Sequence, residues 1–457
     1  MGYSVFFRKS KDAETPKYIL PHASFSNFLH YIEKESLTIE NMKHSKFYAM
    51  ALLMPAALLS TASCSSDNED EDTPVVCPTS STTRAISESS NDMAFPFFNK
   101  VCAQHKPTEN VIVSPLSLTE VLVMLSNGAK GETLNQINAL LGAKDIPLEE
   151  QNAAISALNQ YIISADSKTS VAIANSQWID DELKVKDEYV QTNAKWLNAE
   201  TRNQDLATVK TMNDINSWCE KNTQGCIKEI LDEPLPDDCR LGLVNALYFK
   251  GMWSKKFDKG NTTDEDFTNS DGSKKKVKMM HQTEVFAAYE GKDMDMVEFA
   301  YGDKKFCMDV ILPHEGKNLD ECLKGFSSKT FSDYVKDSYG RDVIVSMPRM
   351  EIKFNTPLDA PLMEMGMTNA FRGGLADFSG ITDYDKLFID KFIQATYIKV
   401  DEEGTEAAAV TAAFLNKCTS IGSEPTPLIF NMNRPFVFII REKDSNTILF
   451  MGKVRKL

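Results

Sequence analysis

The chain holds few groups that could do covalent chemistry, and their spacing narrows the choice. It has six His residues, and none forms His-Glu-x-x-His, the pattern that puts two imidazoles and a general base on one helix face. Nine Cys lie apart with no Cys-x-x-Cys pair, which argues against a zinc ribbon and against a disulfide-dense scaffold. No nucleophile falls in a hydrolase signature. The suggestive segment lies near the C-terminus: Glu402, Glu403, Gly404, Thr405, Glu406, Ala407, Ala408 and Ala409, running on to Asn416. Counted by twos from Thr405, the set Thr405, Ala407, Ala409, Thr411, Ala413 and Leu415 is small or apolar and uncharged. Glu406, the only charge between Thr405 and Asn416, falls on the opposite face. As a strand, this segment could bury one face in a sheet without burying a carboxylate. An alanine-rich helix fits the same composition. Directly beyond stand a cation, a thiol and a hydroxyl: Lys417, Cys418 and Thr419.

The 42% hydrophobic and 25% charged residues over 457 positions describe a globular chain long enough for two or three average domains. Lys plus Arg total 50 against 65 Asp plus Glu, a formal charge of -15, which makes nucleic acid a poor partner. Nothing in the composition calls for a cofactor or a metal.

The N-terminal region reads as an address. Residues 42–63 begin Met42-Lys43-His44-Ser45-Lys46, continue with an apolar run from Phe47 to Leu59, and end in small residues before Cys64. That is the layout of a signal peptide, and the run is too short to span a bilayer. The residues ahead of Cys64 resemble a bacterial lipoprotein signal, although Thr61 stands where Leu is usual, which implies acylation of Cys64. Residues 1–41 would hide such a signal, so Met42 is expected to be the true start and 1–41 a misassigned one. The acidic run Asp67–Asp72 and the Ser/Thr/Pro-rich stretch up to 86 read as a solvated linker over 64–86. The acidic run also resembles the tag that sends some lipoproteins to the outer cell surface. The expected location is therefore the outer membrane, attached only through the lipid.

From 87 to 457 no second linker or repeat interrupts the chain. Ser114-Pro115 offers a capping residue and a first-turn proline, and Ser117 to Glu120 fits a capping box. Leu118, Val121, Leu122 and Leu125 make one apolar helix face, and Val123 and Met124 extend it to the other side, so this helix is expected to be deeply buried. Leu241 to Phe249 is a continuous apolar run broken only by Asn245. Phe436 to Ile440, a Lys443–Asn446 turn and Thr447 to Met451 read as a hairpin. Helices first and strands later, without strict alternation, indicate an α+β domain.

Several of these segments, taken in order, resemble the serpins. They are Asn110–Ser117, Gly128–Thr133, Val244–Trp253, Asp377–Thr382, Glu402–Ala409, Asn433–Phe438 and Leu449–Val454. The resemblance covers about residues 87–457. It implies one large domain of three β-sheets and about nine helices with an exposed reactive-centre loop, acting as a monomer. It implies no enzymatic activity but suicide inhibition of a serine, or also a cysteine, endopeptidase. The protease forms an acyl bond with the loop and is trapped when the loop enters the central sheet. Family spacing places the scissile bond fourteen positions after Gly404, at Cys418–Thr419, with Lys417–Cys418 as the alternative. Glu402 to Ala409 match the hinge. Ser114, Ser117 and Asn245 match the polar cluster under the opening sheet, the shutter, where Gln394 replaces the usual His. Trp253 matches the aromatic residue at the sheet top, the breach, where insertion begins. A non-inhibitory serpin that binds something at the surface is the alternative, and charged or bulky hinge residues would favour it.

Overall fold

The computed structural model describes residues 2–9, 76–383, 386–405 and 426–457. The leader at 42–63, Cys64, the hinge residues Glu406, Ala407, Ala408 and Ala409, and Lys417, Cys418 and Thr419 lie outside the described residues.

Helix Pro115–Ser126 is buried along its whole length, as its all-round apolar sequence requires. Ser114 caps it, its Oγ accepting the Ser117 N–H at 3.2 Å, and Pro115 supplies the first turn. The capping box expected from Ser117 to Glu120 does not form. Ser114 does that work one turn earlier, which leaves Glu120 free to turn inward. The first helix, Ser81–Gln104, begins inside the stretch read as linker, capped by Ser80 Oγ on the Thr83 N–H at 3.0 Å. Ser87 on its buried face reaches Thr447 of the C-terminal hairpin at 2.8 Å.

The α+β arrangement contains nine α-helices and two mixed sheets among the described residues. Three sheets were expected. The long strand Lys274–Glu290 pairs with Thr263–Thr268 and Tyr339–Pro348 along most of its length and with Met294–Tyr301 only at its end. It thereby joins two of the three into one nine-stranded ladder. The C-terminal hairpin, Phe436–Glu442 with Ile448–Val454, lies within that ladder and is buried throughout.

The other sheet has seven strands. Met350–Pro357 and Leu387–Val400 form one side; Cys239–Met252, Thr169–Ile179 and Glu200–Asn203 form the other. The two inner strands, Leu387–Val400 and Cys239–Met252, run parallel and do not pair with each other. Two short segments fill the slot between them, each antiparallel to both walls. Gly404–Thr405 lies at one end. Gly2–Lys9, to which the sequence reading assigned no place in the fold, lies along the rest.

Candidate functional site

Strand Leu387–Val400 leads into a tight turn at Asp401–Gly404, closed by the Asp401 N–H to the Gly404 carbonyl at 2.9 Å and by the Gly404 N–H to the Asp401 carbonyl at 3.2 Å. Gly404 has φ +153°, and a Cβ there would lie 2.0 Å from the Gly251 carbonyl oxygen, so only glycine fits. The turn points the chain into the slot, where Thr405 faces Val400 on one wall and Gly251 on the other. Thr405 is 4% exposed, and its hydroxyl lies 2.6 Å from the Tyr301 hydroxyl.

Trp253 braces this turn from below. Its Nε1–H donates to the Asp401 carbonyl at 2.9 Å and its backbone N–H to Glu403 O at 2.8 Å, while its ring stacks on Tyr301 at 4.5 Å. Glu402, only 1% exposed, accepts from Arg349 Nε at 2.8 Å and from the Thr262 hydroxyl. Burial pushes its carboxyl upward, but these hydrogen bonds outweigh burial and hold it below its ordinary value. Glu403 is held low chiefly by its hydrogen bonds with Lys256 at 2.8 Å and Lys259 at 2.9 Å. The base of the loop is thus fixed by ion pairs on its first two acids and by an aromatic pair under Thr405. Sequence reasoning missed Arg349, Tyr301 and Thr262, whose partners are distant in the chain.

Ser114, Ser117, Asn245 and Gln394 are all fully buried where helix Pro115–Ser126 meets the slot. Among the described residues, Gln394 Nε2 reaches the Ser114 carbonyl, at 3.5 Å. Asn245 and Gln394 do not meet across the slot, because both lie in register with Tyr3 of the intervening strand. Ser117 Oγ, Asn245 Oδ1, Gln394 Oε1 and Ser4 Oγ are buried without a hydrogen-bond partner among the described residues. Such orphaned atoms lower the cost of rearranging this region.

A polar chain runs from this cluster into the helices. Asn245 Nδ2 donates to Asn175 Oδ1 at 2.9 Å, Asn175 Nδ2 to Glu120 at 3.1 Å, and Asn159 Nδ2 to the other Glu120 oxygen at 2.7 Å. Burial pushes the Glu120 carboxyl up from 4.5 to about 7. One signal could have found it: Glu120 is the only charge in a helix that is apolar all round. The folded protein keeps this proton up to about pH 7, whereas an unfolded Glu releases it near 4.5. Stability therefore falls as pH rises through that window, by about 3 kcal/mol. Glu120→Gln removes the titration, and Asn159, whose Oδ1 lacks a partner, can turn its amide to accept from the new side chain. In urea unfolding, Glu120→Gln should be about 2–3 kcal/mol more stable than the parent at pH 8 and nearly equal to it at pH 4.5. A gap of equal size at both pH values would place the titration elsewhere.

Glu298, Cys307 and Asp309 bring three potential metal ligands within 4.8 Å of one another. Arg441 and Lys443 already pair with the two carboxylates, so their charge is balanced without a metal ion.

Comparison with known proteins places this geometry. The family model described as Serpin (serine protease inhibitor) matches residues 88–457. The leukocyte elastase inhibitor of Xenopus tropicalis is 31% identical over 382 residues, covering 80% of this chain and 98% of that protein. The native structure of the thermophilic serpin tengpin matches with a TM-score of 0.72 at 29% identity, covering 81% of this chain and 94% of that one. Human thyroxine-binding globulin in complex with its hormone matches at 0.74 and 26%, covering 82% and 99%.

Proposed function

The chain belongs to the serpin family, and from that premise we propose that it inhibits a serine, or also a cysteine, endopeptidase by inserting its loop into the central sheet. The observation that carries this reading is the seating of Gly404–Thr405 between two parallel strands, with Thr405 buried and antiparallel to both. A loop that starts there is aimed down the slot, and its uncharged alternate residues suit a buried face. The target protease acylates the loop, and the advancing strand drags it before the ester is hydrolysed. Location belongs to the same proposal: the chain is exported, acylated at Cys64 and displayed at the outer cell surface.

The test is to incubate a chain beginning at Cys64 with a panel of serine and cysteine proteases. An inhibitor gives an SDS-stable complex of summed mass, and mass spectrometry locates the cut bond. Cys418–Thr419 would suit the shallow pockets of elastase-like enzymes, and Lys417–Cys418 the carboxylate pocket of trypsin-like ones. With the former, Lys417→Ala leaves elastase-type complexes intact and Cys418→Arg redirects the protein to trypsin-like enzymes. If Lys417→Ala removes every complex, the bond is Lys417–Cys418.

One observation favours the second reading, a non-inhibitory surface binding protein: strand Gly2–Lys9 fills most of the slot that insertion needs. Cleavage of the loop without complex by every protease tested would support that reading.

A further inference from the structure

We propose that Gly2–Lys9 is a self-supplied strand that occupies the insertion slot and must leave before the loop can enter; this rests on the inhibitory reading above. The register carries the argument. Thr405 faces Val400 and Gly251, and an inserting loop advances one residue at a time along both walls. Positions 396–399 on one wall and 247–250 on the other could receive Glu406 to Ala409. The next residue, Val410, would then meet Ala395 and Ala246. Those two residues already face Gly2. The N-terminal strand has the same direction as an inserted loop and blocks it from Val410 onward.

The occupant is built for the place. A strand covered on both faces reads as an unbroken apolar run, and Val5, Phe6 and Phe7 are all buried. Phe7 packs edge-on against Phe378 at 4.8 Å between ring centres. Phe6 lies over Gly242, where an added Cβ would come within 3.0 Å of its ring, so glycine makes room for that ring. At the far end, Arg8 pairs with Asp238, just ahead of one wall, and with Asp390 in the other, at 2.7 and 3.5 Å. The strand also separates Asn245 from Gln394. A chain made from Met42, the start expected from the leader, never carries this strand, whereas a chain made from Met1 carries it until cleavage before Cys64 removes it. The Met1 chain is then held unable to inhibit while the strand stays in the slot.

The test uses the full 457-residue chain. Hydrogen exchange followed by mass spectrometry should find the amides of residues 2–9 protected at least 100-fold against the unstructured rate. Val5→Pro removes a ladder N–H and Phe6→Glu puts a carboxylate in an apolar site. The double variant should lose that protection and raise the yield of SDS-stable complex at least tenfold over the parent. Arg8→Glu, at a half-exposed position that leaves the core untouched, should do the same more weakly. Adding the synthetic peptide Gly2–Lys9 to the double variant should suppress complex formation again. Free exchange at residues 2–9 in a parent that forms complex overturns the proposal and leaves the inhibitory reading standing. Protected residues in a parent that forms complex as well as the variants do overturn the block alone. Loss of protection in the variants with loop cleavage and no complex overturns the block and the inhibitory reading together.

Discussion

Replacing Thr405 with Arg in a chain beginning at Cys64 is expected to turn an inhibitor into a substrate, with the loop still cut but no SDS-stable complex formed. Thr405 is already seated between Val400 and Gly251, against the Tyr301 hydroxyl. Arginine at that position must either bury an unpaired guanidinium, at several kcal/mol, or pull the hinge out of the slot. Trapping depends on a race between insertion and hydrolysis of the acyl bond. A barrier raised by about 3 kcal/mol slows insertion by about 100-fold, enough for hydrolysis to win. The first steps of cleavage happen away from this site, so the rate at which the loop is cut should stay near that of the parent. Thr405→Ser keeps a small side chain and a hydroxyl for Tyr301 and should keep most of the complex. The measurement is the ratio of complex to cleaved inhibitor on a denaturing gel. A complex yield for Thr405→Arg equal to the parent's would falsify insertion as the trapping step.

What the sequence made legible was local. The apolar run at Leu241–Phe249 became the core of strand Cys239–Met252, and the Phe436 and Thr447 segments became a hairpin, because period, length and turn residues act between near neighbours. The motif segments coincide with the tight turn at Asp401–Gly404 and with the buried Trp253 because each is a short run with its own geometry. Pairings across the chain were not legible. Nothing near Glu402 in the sequence marks its burial, which Arg349 and Thr262 accommodate from distant positions. Gly2–Lys9 has only three apolar residues in a row, and both of its ladders are formed with strands more than 200 positions away. Next to a segment that reads as a leader, nothing local marks it as the central strand of a sheet. Glu120 lies between these cases. Its burial was implied by the helix pattern, but its hydrogen bonds to Asn159 and Asn175 were not.

Arg441 is the other residue that a local reading passes over, since it follows Phe436–Ile440 where the hairpin was expected to turn to the surface. It is only 2% exposed, with Nε 2.7 Å from Asp309 and Nη2 2.9 Å from Glu298. Asp309 is fully buried and pairs with no other cation among the described residues, whereas Glu298 also pairs with Lys443. Arg441→Met is therefore expected to lower the unfolding free energy by about 3–5 kcal/mol, most of it the cost of a buried carboxylate left without its partner. Asp309 would take up a proton in the variant as pH falls. Burial already raises its carboxyl above the ordinary value despite Arg441, and losing the guanidinium raises it further, so the deficit should be larger at pH 8 than at pH 5. The double variant Arg441→Met/Asp309→Leu removes both charges, leaves Glu298 with Lys443, and should recover most of the loss. Ring contacts of Phe249 with Phe306 at 5.6 Å and Phe450 at 6.3 Å tie the slotted sheet to the one that holds Arg441. Urea midpoints of the two single variants and the double variant at pH 5 and pH 8 decide the matter. If the double variant is as unstable as Arg441→Met alone, the guanidinium contributes through packing and not by balancing Asp309.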